Sequence, residues 1–313
     1  MKVFVTGGTG FVGREIVQQL IAASHKPRLL VRDPESPAAQ ALRSRYDIEV
    51  AKGDVTDPRA LPDAISGCDA VIHLVGIISE VGNQTFENIH VRGTENVVRA
   101  AQMAGARRYI HMSALGTRPN APSRYHQTKW AAEEIVRHSG LAWTIFRPSI
   151  IYGRDDQFVN MFLAMARFSP VLPLIGGHVT KFQPIAVQDV AACFVKALTE
   201  PRAVGQTFDL CGPETLTLEE ILRLALKVTG RKRLLLKIPL WLARTQAAIL
   251  EHVYPRLLGK APPLNRDQLL MLQEDNVGTP APAIEVFNLT PHRFSQEVVA
   301  YASAGVRGNA MQV

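Results

Sequence analysis

Cysteine is scarce in this chain. Its 313 residues include three, Cys68, Cys193 and Cys211, and no Cys-x-x-Cys pair. An odd and scattered set argues against a disulfide framework and a thiolate zinc site, and for a reducing compartment, the cytoplasm. The nine histidines form no metal-ligand spacing, so no metal is expected. Long apolar runs are missing as well. The first, Val3 to Val5, is too short for a signal-peptide core, and no stretch reaches the roughly 18 apolar residues of a membrane span. Repeats and polar low-complexity tracts are also absent. With 47% hydrophobic residues the chain is expected to be globular. Its length suits one large domain or a main domain with a smaller lobe. Acidic residues, 28 against 35 basic ones, leave a net charge of +7. No block of like charge gathers that excess. It therefore reads as a basic surface with a pocket for a phosphorylated ligand, and no nucleic-acid partner is expected.

What is present is a rhythm of strands and helices. Short apolar runs at Lys2–Thr6, 28–32, 48–52, 70–75, Arg108–Met112 and 142–146 read as strands. Helical spacing fills 11–23, 87–104 and 123–138, with Gly105 placed to end the second of these. The alternation predicts an α/β fold, a Rossmann-type doubly wound parallel sheet over residues 1–150. Residues 182–198 and Gln206–Leu210 look like elements returning to it. The remainder of 151–313 reads as a smaller, mostly helical lobe with helices at 217–229, 239–252 and 265–273, and a loop-rich tail from Asn276.

The segment Thr6-Gly7-Gly8-Thr9-Gly10-Phe11-Val12-Gly13 follows the first strand and opens the first helix. One glycine takes the tight turn, one admits a pyrophosphate close to the backbone, and one lets helix and sheet pack closely. The helix start offers N–H groups and the positive dipole end to the phosphates. Gly7, Gly10, Phe11, Val12 and Gly13 are therefore candidate contacts to a dinucleotide. After the second strand, Arg32 stands where an NAD site usually has an acidic residue. Its guanidinium could pair with a 2′-phosphate, which favours NADP(H) over NAD(H). Asp33, if turned inward, would favour NAD instead, and Arg14 is a second cation for the phosphate. Asp54 is a candidate for the adenine amino group, and Asp57 for the cap of the next helix. Val55, beside Asp54, and Val75 and Gly76, after the fourth strand, join the cofactor set.

Ser113 follows the fifth strand, and Tyr125 and Lys129 share a helix face at i and i+4. A neighbouring ammonium should lower the phenol pKa. The tyrosine could then exchange a proton with a substrate oxygen while hydride moves to or from a nicotinamide. Ser113, Tyr125 and Lys129 are the candidate catalytic residues. The alternative is a Tyr–Lys pair on an exposed helix face. His73 and His111 lie in apolar strands and read as satisfied core residues. Phe158, Phe162 and Leu174 read either as a pocket wall or as plain core.

These residues resemble the short-chain dehydrogenase/reductase superfamily in its extended or atypical branch. The resemblance rests on TGGTGFVG (6–13), Gly53-Asp54, GTENVVRAA (93–101), Ser113, Tyr125/Lys129 and RPSIIYG (147–153). It implies that Pro148 and Ser149 begin a loop passing the nicotinamide, with Ile150 beside it, and Lys129 counts among the cofactor-binding residues as well. It also marks a departure, since His90 stands where many extended members have asparagine. The stretches HLVGIISEVGNQTFENIHVRGT, RPSIIYGRDDQFVNMF and RDQLLMLQEDNV are similar to the accessory NAD(P)H-binding subunit family of complex I and its bacterial relatives. The first expectation is an oxidoreductase moving hydride between NADP(H) and a carbonyl or alcohol of unidentified structure. Alternatives are a non-catalytic, nucleotide-loaded assembly or sensing module of the complex I type, and a sugar-nucleotide epimerase/dehydratase. Arg231-Lys232-Arg233 before LLLKIPLWLARTQAAIL suggests either peripheral contact with the inner face of a respiratory membrane or a helix packed over the substrate cleft.

Overall fold

Seven short segments form one parallel sheet: β1 (Lys2–Thr6), β2 (Lys26–Val31), β3 (Glu49–Lys52), β4 (Ala70–His73), β5 (Arg108–Met112), β6 (Trp143–Pro148) and β7 (Gln206–Leu210). The computed structural model describes residues 1–175, 179–259 and 261–298. The strand order is β7-β6-β5-β4-β1-β2-β3, and every pair is parallel. Helices cover both faces, so the strands are apolar on both sides. Val3 and Val5 pack with Ile16, Leu20 and Phe194 on one face, and Phe4 packs with Val97, Ala101 and Val136 on the other. The strand order reverses between β1 and β4. A crevice at the carboxyl ends of these two strands is where an open sheet of this kind takes its ligand.

The expected helix over 87–104 is two structures in one. Glu87–Arg92 is a π-helical turn carrying His90, and Gly93–Met103 continues as α-helix. Gly105 ends it at φ +67°, as expected. Wide π turns recur at functional sites, and this one faces the crevice.

A separate apolar cluster lies among Tyr152, Phe162, Leu174, Phe182, Ile221, Leu222 and Phe294. Phe162 and Leu174 are thus core, and not a pocket wall. The lobe is not only helical, since Val171–Ile175 and Leu234–Ile238 form a parallel two-stranded sheet. The helix Leu240–Leu258 runs further than expected, through Pro255, and stops at Gly259 with φ +60°. The tail also departs from a plain loop. Helix Ala281–Phe287 returns to the sheet, where Phe287 meets Phe146 and Phe208. The expected lobe range 299–313 lies outside the described residues.

Candidate active site

The turn out of β1 requires glycine at two points. Gly7 sits at φ +75°, where an L side chain is strained. At Gly13 a Cβ would lie 2.2 Å from the Gly7 carbonyl oxygen and 2.7 Å from the Gly8 Cα. The helix Phe11–Ala22 opens at Gly10 with no side chain bonded to its first amides and no acidic residue in its first turn. Those amides at Phe11, Val12 and Gly13 form a backbone cradle on a turn that a Cβ at Gly13 would disrupt, and it fits a dinucleotide pyrophosphate.

At the adenosine end, Arg32 is exposed just beyond β2. The Asp33 carboxylate is turned back into its own loop, where Oδ1 accepts from the Glu35 N–H at 3.0 Å. Arg14 is held by Asp155 Oδ2 at 3.0 Å. Asp54 Oδ1 accepts from both the backbone N–H and hydroxyl of Thr56 at 2.8 Å, bonds that do not use Oδ2. Asp57 does not cap the following helix, because its Oδ1 closes a turn on the Arg59 N–H and the helix begins later, at Leu61. Val55 is buried against Gly93, where a Cβ would stand 3.0 Å from Val55 Cγ2. Val75 and Gly76 follow β4, and Pro148 and Ile150 follow or end β6. All of these lie at the carboxyl edge of the sheet.

Ser113 is buried directly after β5, its Oγ 3.4 Å from Thr117 Oγ1. Lys129 comes from the helix Arg124–Arg137 and reaches the same strand end, where Nζ donates to the Met112 carbonyl at 2.5 Å. Burial lowers its pKa to about 8, against a raising influence from Glu133. Tyr125 lies one turn earlier on that helix. Its ring stands edge-on to His90 and Phe86, at 5.4 and 6.0 Å. The expected lowering of the Tyr125 pKa does not occur in this structure. Burial pushes the phenol up to about 12, and Asp267 acts in the same direction. Tyr125 is therefore protonated at neutral pH and fit to donate a proton.

His90 ties these parts together. Its Nε2 accepts from the Ile77 N–H at 3.1 Å, which puts the ring proton on Nδ1, facing Thr128 Oγ1 at 2.9 Å. Burial lowers its pKa to about 2. A Cβ at Gly76 would lie 3.6 Å from His90 Nε2 and 3.9 Å from Lys129 Nζ. His90, Gly76 and Lys129 thus share one corner.

Several contributors were not among the candidates. Glu133 has no exposed surface and holds Arg147 with both oxygens, at 2.8 and 2.6 Å, and Arg137 at 2.6 Å. A buried carboxylate needs such partners, and this one clamps the helix of Tyr125 and Lys129 to β6. Its spacing was legible, since Tyr125, Lys129 and Glu133 recur every fourth residue. Asp267 accepts from the Arg124 and Tyr125 N–H groups at 2.7 and 3.0 Å and caps that helix from the lobe, which no local pattern marks. The two core histidines differ. His73 is satisfied, with Nδ1 2.7 Å from Thr6 Oγ1 and Nε2 3.2 Å from Thr94 Oγ1. His111 is not: neither ring nitrogen has a partner among the described residues, nor does the nearby Tyr109 hydroxyl. Strand β5 aims both side chains beneath the helices, where apolar packing leaves no partner.

The profile of NAD(P)H-binding proteins matches residues 7–201. The chain is 32% identical to the mitochondrial NADH dehydrogenase [ubiquinone] 1 alpha subcomplex subunit 9 of Arabidopsis thaliana, over 92% of this chain and 74% of that protein. It is 34% identical to a ceramide reductase of Caulobacter vibrioides, over 76% of this chain and 73% of that protein. The fold is shared with UDP-glucose 4-epimerase of Thermotoga maritima, at a TM-score of 0.76 and 16% identity, covering 99% and 100% of the two chains.

Proposed function

The chain belongs to the NAD(P)H-binding family of short-chain dehydrogenase/reductase-like proteins, and we propose that it is an oxidoreductase that reduces a carbonyl group with NADP(H). The observation that carries this reading is the gathering of Ser113 and Lys129 at the end of β5, with Tyr125 one helical turn away, beside the glycine cradle. A bound reduced nicotinamide supplies the hydride to the carbonyl carbon. Tyr125 gives its hydroxyl proton to the carbonyl oxygen, yielding the alcohol. The Lys129 ammonium offsets the phenolate charge that develops. The Ser113 hydroxyl holds the same oxygen. Arg32 takes the 2′-phosphate, a role supported by its exposure and by the turn-locked Asp33 carboxylate. Val55, Val75, Gly76, Pro148 and Ile150 line the cofactor, and Asp54 takes the adenine amino group. In this proposal residues 1–150 with the returning 182–210 form the dinucleotide-binding unit, and the rest of 151–313 forms the substrate lobe. The similarity to a ceramide reductase supports a reductase reading. The test is NADPH oxidation by wild type and Tyr125→Phe against a panel of aldehydes and ketones. We expect a loss of about 100-fold or more in the variant, and unchanged turnover would overturn the assignment.

One observation favours a second reading, a nucleotide-loaded module resting on a respiratory membrane or its complex. Trp241, Leu242, Ile249, Val253 and Leu257 on the helix Leu240–Leu258 are exposed, as are Arg244 and Arg256 on the same helix and Lys232 and Lys237 just before it. No helix among the described residues is long and apolar enough to cross a membrane. A basic, Trp-bearing face of this kind suits the surface of an anionic bilayer. The similarity to a complex I subunit supports this reading. It is tested by sedimentation with vesicles of phosphatidylglycerol and phosphatidylcholine. Binding that Trp241→Ser weakens supports it, and no binding overturns it.

A further inference from the structure

A cavity of about 600 Å³ lies against Phe86, whose ring meets Tyr125. That volume is within the range of small-molecule sites, roughly 300–1,000 Å³. Part of the lining is apolar, Phe86, Pro122, Pro262 and Leu270, and both of its arginines are already paired. Arg124 pairs with Glu80 at 3.2 Å and Arg266 with Glu251 at 2.7 Å. The Asp267 carboxylate holds the start of the Tyr125 helix and adds an unmatched negative charge. Three carboxylates thus face two guanidinium groups, with His252 the remaining titratable group of the lining. A diphosphate would meet a lining with a carboxylate to spare and no unpaired arginine. Each arginine it recruited would leave a carboxylate beside it. A nucleoside-diphosphate sugar therefore does not suit this cavity, although the epimerase fold is shared.

We propose that this cavity receives the body of an uncharged, non-phosphorylated ketone with an alkyl or aromatic chain, and turns away nucleoside-diphosphate sugars. The proposal rests on the carbonyl-reductase reading and assigns that site its substrate class. The apolar wall at Leu270 holds the chain, and Phe86 aligns it beside Tyr125.

The test is calorimetric titration of the full chain saturated with NADP⁺, so that no reduction runs. The probes are nonyl methyl ketone and UDP-glucose. The ketone is expected to bind and UDP-glucose to give no heat beyond dilution. Leu270→Trp fills the cavity and should weaken the ketone about tenfold or more. Ser79→Phe narrows the same cavity from its rim and should weaken the ketone in the same direction, should the first variant fail to fold. UDP-glucose binding that the ketone cannot displace would overturn the proposal. So would ketone affinity indifferent to whichever of these variants folds. Because binding is read without turnover, a ketone that binds in the cavity but is never reduced contradicts the reductase reading and leaves the cavity assignment standing. A ketone reduced by Tyr125 whose affinity ignores both variants does the reverse.

Discussion

Large apolar side chains are treated differently in the two halves of the molecule. In the sheet half Phe4, Tyr109 and Phe146 are wholly buried, and the exposed ones among the described residues are Met1, Ile78, Met103 and Val204. In the lobe Trp241 is 69% and Leu257 76% exposed, and Leu234, Leu236 and Ile249 are exposed as well. The sheet half closes its core with the help of the returning helix Ala281–Phe287 and leaves backbone N–H groups open at one edge, where a ligand fits. The lobe leaves several large apolar side chains open to solvent along one strand and one helix. That contrast separates what should be robust in this protein from what should respond to its surroundings.

The largest expected effect lies in the sheet half. His73 and His90 are held neutral by burial, with pKa values of about 3 and about 2. In the unfolded chain they take up protons near pH 6.5. Their folded values are depressed, so the unfolded state binds more protons between these limits and stability falls as pH drops below about 6.5. At about pH 4.5 each should cost about 3 kcal/mol relative to pH 7. Urea unfolding at both pH values measures this, and a flat profile would contradict the buried, neutral state. Next comes Gly13→Ala, which sets a Cβ against the Gly7 carbonyl. It should cost about 3 kcal/mol or more and abolish NADPH binding in a fluorescence titration. Normal binding would remove the cradle from the account.

A smaller effect of opposite sign is expected at His111. Two unpartnered ring nitrogens in a dry core carry a penalty of about 1–3 kcal/mol. His111→Phe should raise stability by about 1 kcal/mol, read as a higher Tm. A lower Tm would mean that the imidazole has a partner in solution. The smallest effect belongs to the lobe. Trp241→Ser with Leu257→Ser should move the Tm of the protein alone by an amount worth no more than about 0.5 kcal/mol. A drop several times larger would show these side chains packed in solution and erase the contrast between the halves.

The legibility of each half follows the same division. Six of the seven sheet strands lie in local apolar runs, and Gly7 to Gly13 and Tyr125–Lys129 stand out by short spacings. What escaped detection is non-local or needs geometry. Leu234–Ile238 pairs with a strand some sixty residues earlier and, seen alone, looked like the approach to a helix. The π turn at Glu87–Arg92 barely disturbs helical spacing. Asp267 caps a helix more than a hundred residues away. The rise in the Tyr125 pKa depends on how deeply the ring is covered, which its distance in sequence from Lys129 does not encode. The helix Leu240–Leu258 passes Pro255 at the cost of the hydrogen bond an N–H there would make, and ends within a turn, at Gly259.

The central claim is that the glycine cradle holds an NADP(H) that exchanges in each cycle. The direct measurement is mass spectrometry of the nucleotide released on denaturing protein purified without added cofactor, with its occupancy. The account predicts an empty site or a small fraction of NADP(H), and full loading when NADPH is added. A full equivalent of NAD⁺ retained through purification would contradict it, and so would a full equivalent of NADPH that does not exchange.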